Sequence, residues 1–153
     1  MRGATLVEVA AALVIMGLLS GLGIPRALQW RDRILVQRHT QGMFLAYHRA
    51  RLATLQHHGP ALLRIAPDRA EVWRLHNGDS TLVWHIAGPA ADGVSLSGPA
   101  RVVFSPAGIT IGVANGSYVL SRGGITRIVL ASRLGRLRVT RPRRARKPGP
   151  RAP

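Results

Sequence analysis

Residues 4–24 read ATLVEVAAALVIMGLLSGLGI, 21 residues with one charged side chain, Glu8. At about 1.5 Å rise per residue such a run makes a helix about 30 Å long, the thickness of a bilayer core. Pro25 closes the run, and a polar segment with Arg26, Arg31 and Arg33 follows. A cleavable secretory signal would need a basic leader, a shorter apolar core and a small-x-small site at its far end. Only Met1-Arg2-Gly3 precede this run, and a carboxylate sits near its start. Both features favour a segment that stays with the protein as an anchor. A charge inside an apolar span is costly and points to a role. Glu8 also lies within about one turn of the start, where the membrane interface would accept it. Counting flanking positive charge puts the C-terminal body on the cytoplasmic side, since only Arg2 and the amino terminus precede the span.

The chain is 153 residues long with a net charge of +16. Residues 133–153 carry +9 of it with no acid, and residues 1–132 carry +7. Such a balance suits an anionic partner, nucleic acid or an anionic membrane surface, and argues against cationic substrates. Cysteine is absent, which excludes disulfides, thiolate metal sites and cysteine nucleophiles.

Residues 26–59 contain no proline and have Gly42 as their one glycine before Gly59. Ile34, Leu45, Leu52 and Leu55 form a heptad-like stripe interrupted by Arg38, Gln41 and His48. The spacing predicts an amphipathic helix continuing the first one and ending at Gly59-Pro60. Phe44 and Tyr47 read as core or helix–sheet contacts. From Pro60 the pattern changes to short β-like runs. These are Ala61–Ala66, Glu71–Leu75, Thr81–Ile86, Val94–Leu96, Arg101–Phe104, Ile109–Val113, Ser117–Leu120, Ile125–Ala131 and Arg136–Val139. Turn residues separate them, including Asn77-Gly78, Asn115-Gly116 and Gly123-Gly124; Asn-Gly between strands is a hairpin signal. The expected fold is α+β, one long N-terminal helix packed on an antiparallel sheet built of meanders.

The N-terminal residues also resemble a known family. Gly3-Ala4-Thr5-Leu6-Val7-Glu8, an apolar run and then Pro25 are similar to the class III signal of type IV pilins and pseudopilins. A cut after Gly3 makes Ala4 the first mature residue, puts Glu8 fifth and puts Pro25 twenty-second, the family's register. The family usually has Phe where this chain has Ala4. The stretch Arg101–Val139, with its Phe-Ser-Pro-x-Gly turn and its ending Ser-Arg-Leu-Gly-Arg-Leu-Arg-Val, is similar to the GspH/FimT group of minor pilins and pseudopilins. The segment Ala50–Gly59 resembles that group as well.

The resemblance implies a leader at 1–3, a transmembrane and assembly helix at 4–25, an amphipathic continuation at 26–59, a β domain at 60–140 and a tail at 141–153. It implies a prepilin peptidase cutting Gly3–Ala4 and methylating the new amine, and a pilin-like fold. The implied location is the inner membrane, single-pass with the body in the periplasm, before extraction into a filament. That orientation opposes the charge count, and the motif is the more specific signal. Glu8 would neutralise the amino terminus of a neighbouring subunit, since a buried carboxylate needs a cationic partner. Partners would be other pilin or pseudopilin subunits of a type II secretion pseudopilus or a type IV pilus.

No catalytic constellation is legible. Asp32, Asp68, Glu71, Asp79 and Asp92 are scattered, mostly beside turn residues. His57-His58 reads as a helix C-terminus, where the dipole favours it, and His39, His48, His76 and His85 lack zinc-ligand spacing. No phosphate loop, Gly-x-Ser-x-Gly or dinucleotide fingerprint occurs. The chain therefore reads as a non-enzyme without cofactor or metal.

The basic segment holds Arg133, Arg136, Arg138, Arg141, Arg143, Arg144, Arg146, Lys147 and Arg151. Arg136 and Arg138 are expected on one face of a last strand, about 7 Å apart. Residues 141–153 have nothing apolar to bury and read as a disordered Arg/Pro-rich tail. Three readings stay open: DNA held through its phosphates, contact with lipid headgroups or an acidic subunit, or a solvated extension. The family comparison favours DNA, through Gly135-Arg136-Leu137-Arg138 as its Gly-Arg-x-Arg segment. Residues 133–153 contain no aromatic side chain, so single and double strands are expected to bind alike.

Overall fold

A computed structural model describes residues 5–112 and 115–140. One helix, α1 (Leu6–His57), runs for 52 residues. It starts at Thr5, an extended N-cap whose side chain accepts from the Glu8 amide. It ends where His58 turns into the left-handed region at φ 49°, ahead of Gly59-Pro60. The helix continues through Pro25, whose ring nitrogen has no hydrogen to donate to the carbonyl of residue 21. The boundary expected at 25/26 is therefore not a break in the helix. Among the described residues no helix is long and apolar enough to cross a membrane. The side chains at positions 19, 20, 22 and 23, within the apolar run, lie outside the described residues.

All nine expected strands form, with shifted ends. They are β1 (Ala61–Ile65), β2 (Arg69–His76), β3 (Asp79–Ala87), β4 (Ser95–Ser97), β5 (Arg101–Phe104), β6 (Thr110–Ile111), β7 (Asn115–Arg122), β8 (Ile125–Ser132) and β9 (Leu137–Thr140). They make two antiparallel sheets instead of one: β3-β2-β1-β5-β6 and β4-β7-β8-β9. A 3-10 turn, Pro89–Asp92, joins β3 to β4 across the two sheets.

Asn77-Gly78 is the two-residue hairpin turn its sequence suggests. Both residues have positive φ, 47° and 88°, a pairing that matches strand twist. Asn115-Gly116 is not a turn. It opens β7 opposite Ser132 and Ala131, while β6 pairs with β5. The chain changes sheets between β6 and β7, so no hairpin closes there.

The expected helix stripe faces the wrong way for a core. Ile34, Leu45, Leu52 and Leu55 are 43, 42, 42 and 50% exposed. The buried face carries Val36, Thr40, Met43, Ala46, Tyr47, Ala50, Ala53 and Thr54, roughly opposite on the helical wheel. Three of the eight are alanines, which let two sheets approach the same stretch of helix. The polar members are satisfied locally: Thr40 Oγ1 donates to the Val36 carbonyl at 2.7 Å, and Thr54 Oγ1 to that of Arg51 at 2.7 Å.

Tyr47 is the largest side chain on that face, and it meets both sheets. Its ring packs edge-on against Phe104 of β5, with centroids 5.7 Å apart, and against Tyr118 of β7 at 6.2 Å. The Tyr47 and Tyr118 hydroxyls are 2.9 Å apart and buried. Such edge contacts add about 0.5–1.5 kcal/mol each beyond burial.

Replacing Tyr47 by Phe should cost about 1–3 kcal/mol in denaturant unfolding, because the Tyr118 hydroxyl is left dry and unpaired. The Tyr47→Phe/Tyr118→Phe double change should cost less than the two single changes together. Strict additivity would mean the hydroxyl pair is not coupled. Burial raises both phenols above their ordinary value of 10.0. The unfolded chain loses these protons near pH 10 while the folded chain keeps them. Stability from this pair is thus complete below pH 10 and declines as pH rises beyond it.

Candidate functional site

Two ends of the molecule carry the residues singled out by sequence. At the helix start, Thr5 and Glu8 form a capping box. The Thr5 amide donates to Glu8 Oε2 at 2.8 Å, and the Glu8 amide donates to Thr5 Oγ1 at 3.3 Å. Thr5 Oγ1 also donates to Glu8 Oε2, at 3.2 Å. Glu8 is therefore occupied within its own chain, in a role the sequence reading did not assign to it. The side chains that follow are open: Leu6, Val7, Leu13, Val14, Met16, Leu18 and Ile24 are all at least 60% exposed. Trp30 extends this surface to the beginning of the outward stripe.

At the other end, β8 turns into β9 through Arg133, Leu134 and Gly135. The turn is held on both sides. The Gly135 amide donates to the Ser132 carbonyl at 2.9 Å, and the Ser132 amide donates to the Arg136 carbonyl at 2.9 Å. The Thr110 hydroxyl and amide both donate to the Arg133 carbonyl, at 2.8 and 3.1 Å. Arg136 thus belongs to the turn, and β9 begins one residue later than expected. Arg133, Arg136 and Arg138 are exposed. None of them is in an ion pair among the described residues.

Arg136 is brought to the helix. A cleft of about 270 Å³ lies between α1 and the turn, lined by Phe44, Tyr47, His48, Arg51, Gly135, Arg136 and Leu137. Arg138 is not among the lining residues. The Arg51 stem lies over Gly108, where a Cβ would come within 3.2 Å of its Cγ and Nε. Sequence reasoning missed Arg51 and His48 as companions of Arg136, because no local signal links positions 85 and 88 residues apart. Arg141, Arg143, Arg144, Arg146 and Lys147 lie outside the described residues, as do Gly3 and Ala4.

The scattered acids also have partners that the sequence concealed. Asp32 accepts from Arg122 Nε at 2.7 Å, tying α1 to the end of β7. Gly123 is needed beside it: φ is 53°, and a Cβ would collide with the Asp32 carboxylate. His39 Nε2 lies 2.8 Å from Asp92 Oδ2, with Arg38 at 3.7 Å, which fastens the 3-10 turn to the helix. The His39 hydrogen bond, aided by the Arg38 charge, holds the Asp92 carboxyl below its usual range. A second cleft, about 200 Å³ and mostly apolar, lies beside this pair and is lined by Ile65 and Ile86 of one sheet and Leu120 of the other. Among the described residues, no three His, Asp or Glu side chains are grouped as a metal ion would require.

The fold is that of a pilin. The chain superposes on a crystal structure of the Pseudomonas aeruginosa type IV minor pilin FimU with a TM-score of 0.61, covering 72% of this chain and 92% of that one at 12% identity. A second crystal form of FimU gives 0.57, with 68% and 91% covered at 11% identity. No protein-family model and no curated protein matches the sequence.

Asp32→Asn and Arg122→Gln should each lower stability by about 1–3 kcal/mol, since each leaves a partly buried charge without its partner. The double variant should cost less than the sum, as read from a thermal or denaturant cycle. Additive losses would mean that the two side chains stabilise independently. The depressed Asp92 carboxyl contributes stability above its ordinary value of 3.8, and that contribution is lost as pH falls through its folded value.

Proposed function

We propose that this chain is a structural subunit of a pilus-like filament, a minor pilin or pseudopilin of GspH/FimT type. The observation that carries the reading is the pilin fold together with an N-terminal helix whose apolar side chains are exposed among the described residues. A helix apolar on every side needs lipid or other helices around it. In this reading the leader is cut at Gly3–Ala4 and Ala4 is methylated. Residues 4–24 anchor the subunit in the inner membrane with its body in the periplasm, and Glu8 pairs with a neighbour's amino terminus on entry into the filament. Pro25 lies within the exposed part of the helix, and packing on the sheets begins only from Asp32 onward. The host machine is a type II secretion pseudopilus or a type IV pilus.

A second reading adds DNA capture through the basic C-terminal end. Exposed Arg133, Arg136 and Arg138, free of ion pairs among the described residues, favour it. Residues 133–140 are not an appendage, since β9 pairs with β8 along Leu137–Thr140. A test of the tail must therefore cut after Thr140, not before Arg133.

Mass spectrometry of the membrane-extracted protein should find a chain beginning at methylated Ala4. Glu8→Ala should be processed normally yet be missing from sheared filaments; its normal incorporation would sink the assembly role. For DNA, log K against log salt should fall with a slope of about −4 to −5 if five arginines neutralise phosphates. A chain ending at Thr140 should show a shallower slope. An unchanged slope would exclude the tail from the interface.

A further inference from the structure

We infer that the cleft between α1 and the β8–β9 turn is a seat for one phosphodiester and its adjoining base in a single nucleic-acid strand. The inference rests on the DNA-capture reading and adds a site to it. Two arginines reach this cleft from distant parts of the chain, Arg51 from α1 and Arg136 from the turn, with His48 of α1 beside them as a further hydrogen-bonding group. No acidic residue lines it, although the same protein pairs Asp32 and Asp92 with cations elsewhere. Arg136 is held by backbone bonds of its turn, so its starting point is fixed. A fixed cationic concavity selects an oxyanion, and a guanidinium pair suits the fork geometry of a phosphate.

The second element is Phe44. It is half-buried, packed against the core on one side and lining the cleft on the other. Leu137 supplies further apolar wall. A phosphate alone has no use for such a wall, whereas a base does, because every base presents a π-face to an aromatic ring. In a duplex the bases are stacked on one another and cannot reach the ring. The cleft therefore predicts a preference for single strands, contrary to the expectation drawn from the aromatic-free segment 133–153. What changes the expectation is tertiary: the fold sets Phe44 beside Arg136, 92 positions away in sequence.

The test uses the full chain in a neutral detergent. A labelled oligothymidylate and a duplex of equal length are titrated by fluorescence anisotropy at several salt concentrations. The native chain should bind the single strand more tightly than the duplex. Arg51→Gln should make the single-strand salt slope shallower by about 0.7, the contribution of one phosphate contact. Phe44→Leu keeps an apolar side chain against the core and removes the ring. It should weaken single-strand binding about fivefold or more, leave the duplex unchanged and abolish the preference. Phe44→Trp should restore the preference. Equal affinity for the two forms, with both variants behaving as the native chain, would overturn the cleft while leaving DNA capture by the tail intact. No binding to either form would overturn the cleft and the DNA reading together. If Arg51→Gln loosens the chain from anionic phospholipid vesicles but not from the oligonucleotide, the oxyanion is a lipid headgroup and the nucleic-acid seat is wrong.

Discussion

Tyr47 is the largest side chain through which the helix meets both sheets. Its ring abuts Phe104 of one sheet and Tyr118 of the other, and its hydroxyl is bonded to that of Tyr118. The small residues around it, Ala46, Ala50 and Ala53, let the strands approach until those contacts close. This arrangement sets the rest. The sheets take one side of the C-terminal half of α1, so the opposite side is left for Ile34, Leu45, Leu52 and Leu55 to face outward. The β8–β9 turn comes to lie over Phe44 and Arg51 for the same reason.

Much of the architecture was legible in the sequence. The strand-like runs after Pro60 all became strands, because turn residues and β-branched alternation are local signals. Asn77-Gly78 was read correctly for the same reason. Asn115-Gly116 has the same two residues and a different fate, decided by the crossing between sheets, which no window of a few residues contains. The helix stripe failed more instructively. Leu and Ile at heptad spacing usually mark a buried face. Here the buried face is built of Val36, Met43, three alanines, a tyrosine and two threonines that bond their own backbone. Periodicity reported an apolar surface correctly but could not say which partner covers it.

The candidate sites divide along the same line. Glu8, Arg133, Arg136 and Arg138 were visible as chemistry in one dimension. The companionship of Arg136 with Phe44, His48 and Arg51, and that of Asp32 with Arg122, is created only by folding. The capping box gives Glu8 a role of its own within the chain, satisfying amide and hydroxyl donors at its own helix start. Any exchange with a neighbouring subunit would begin by breaking those bonds.

The internal engagement of the acids has one further consequence. Asp32, Asp68, Glu71 and Asp92 are each already within reach of a cation of their own chain. Little negative charge is left over to greet a neighbour, while the chain as a whole stands at +16. Copies laid side by side would set like charge against like across distances comparable to the Debye length of about 8 Å at physiological salt. Self-association of the folded body is thereby penalised, and contact with differently charged chains is favoured.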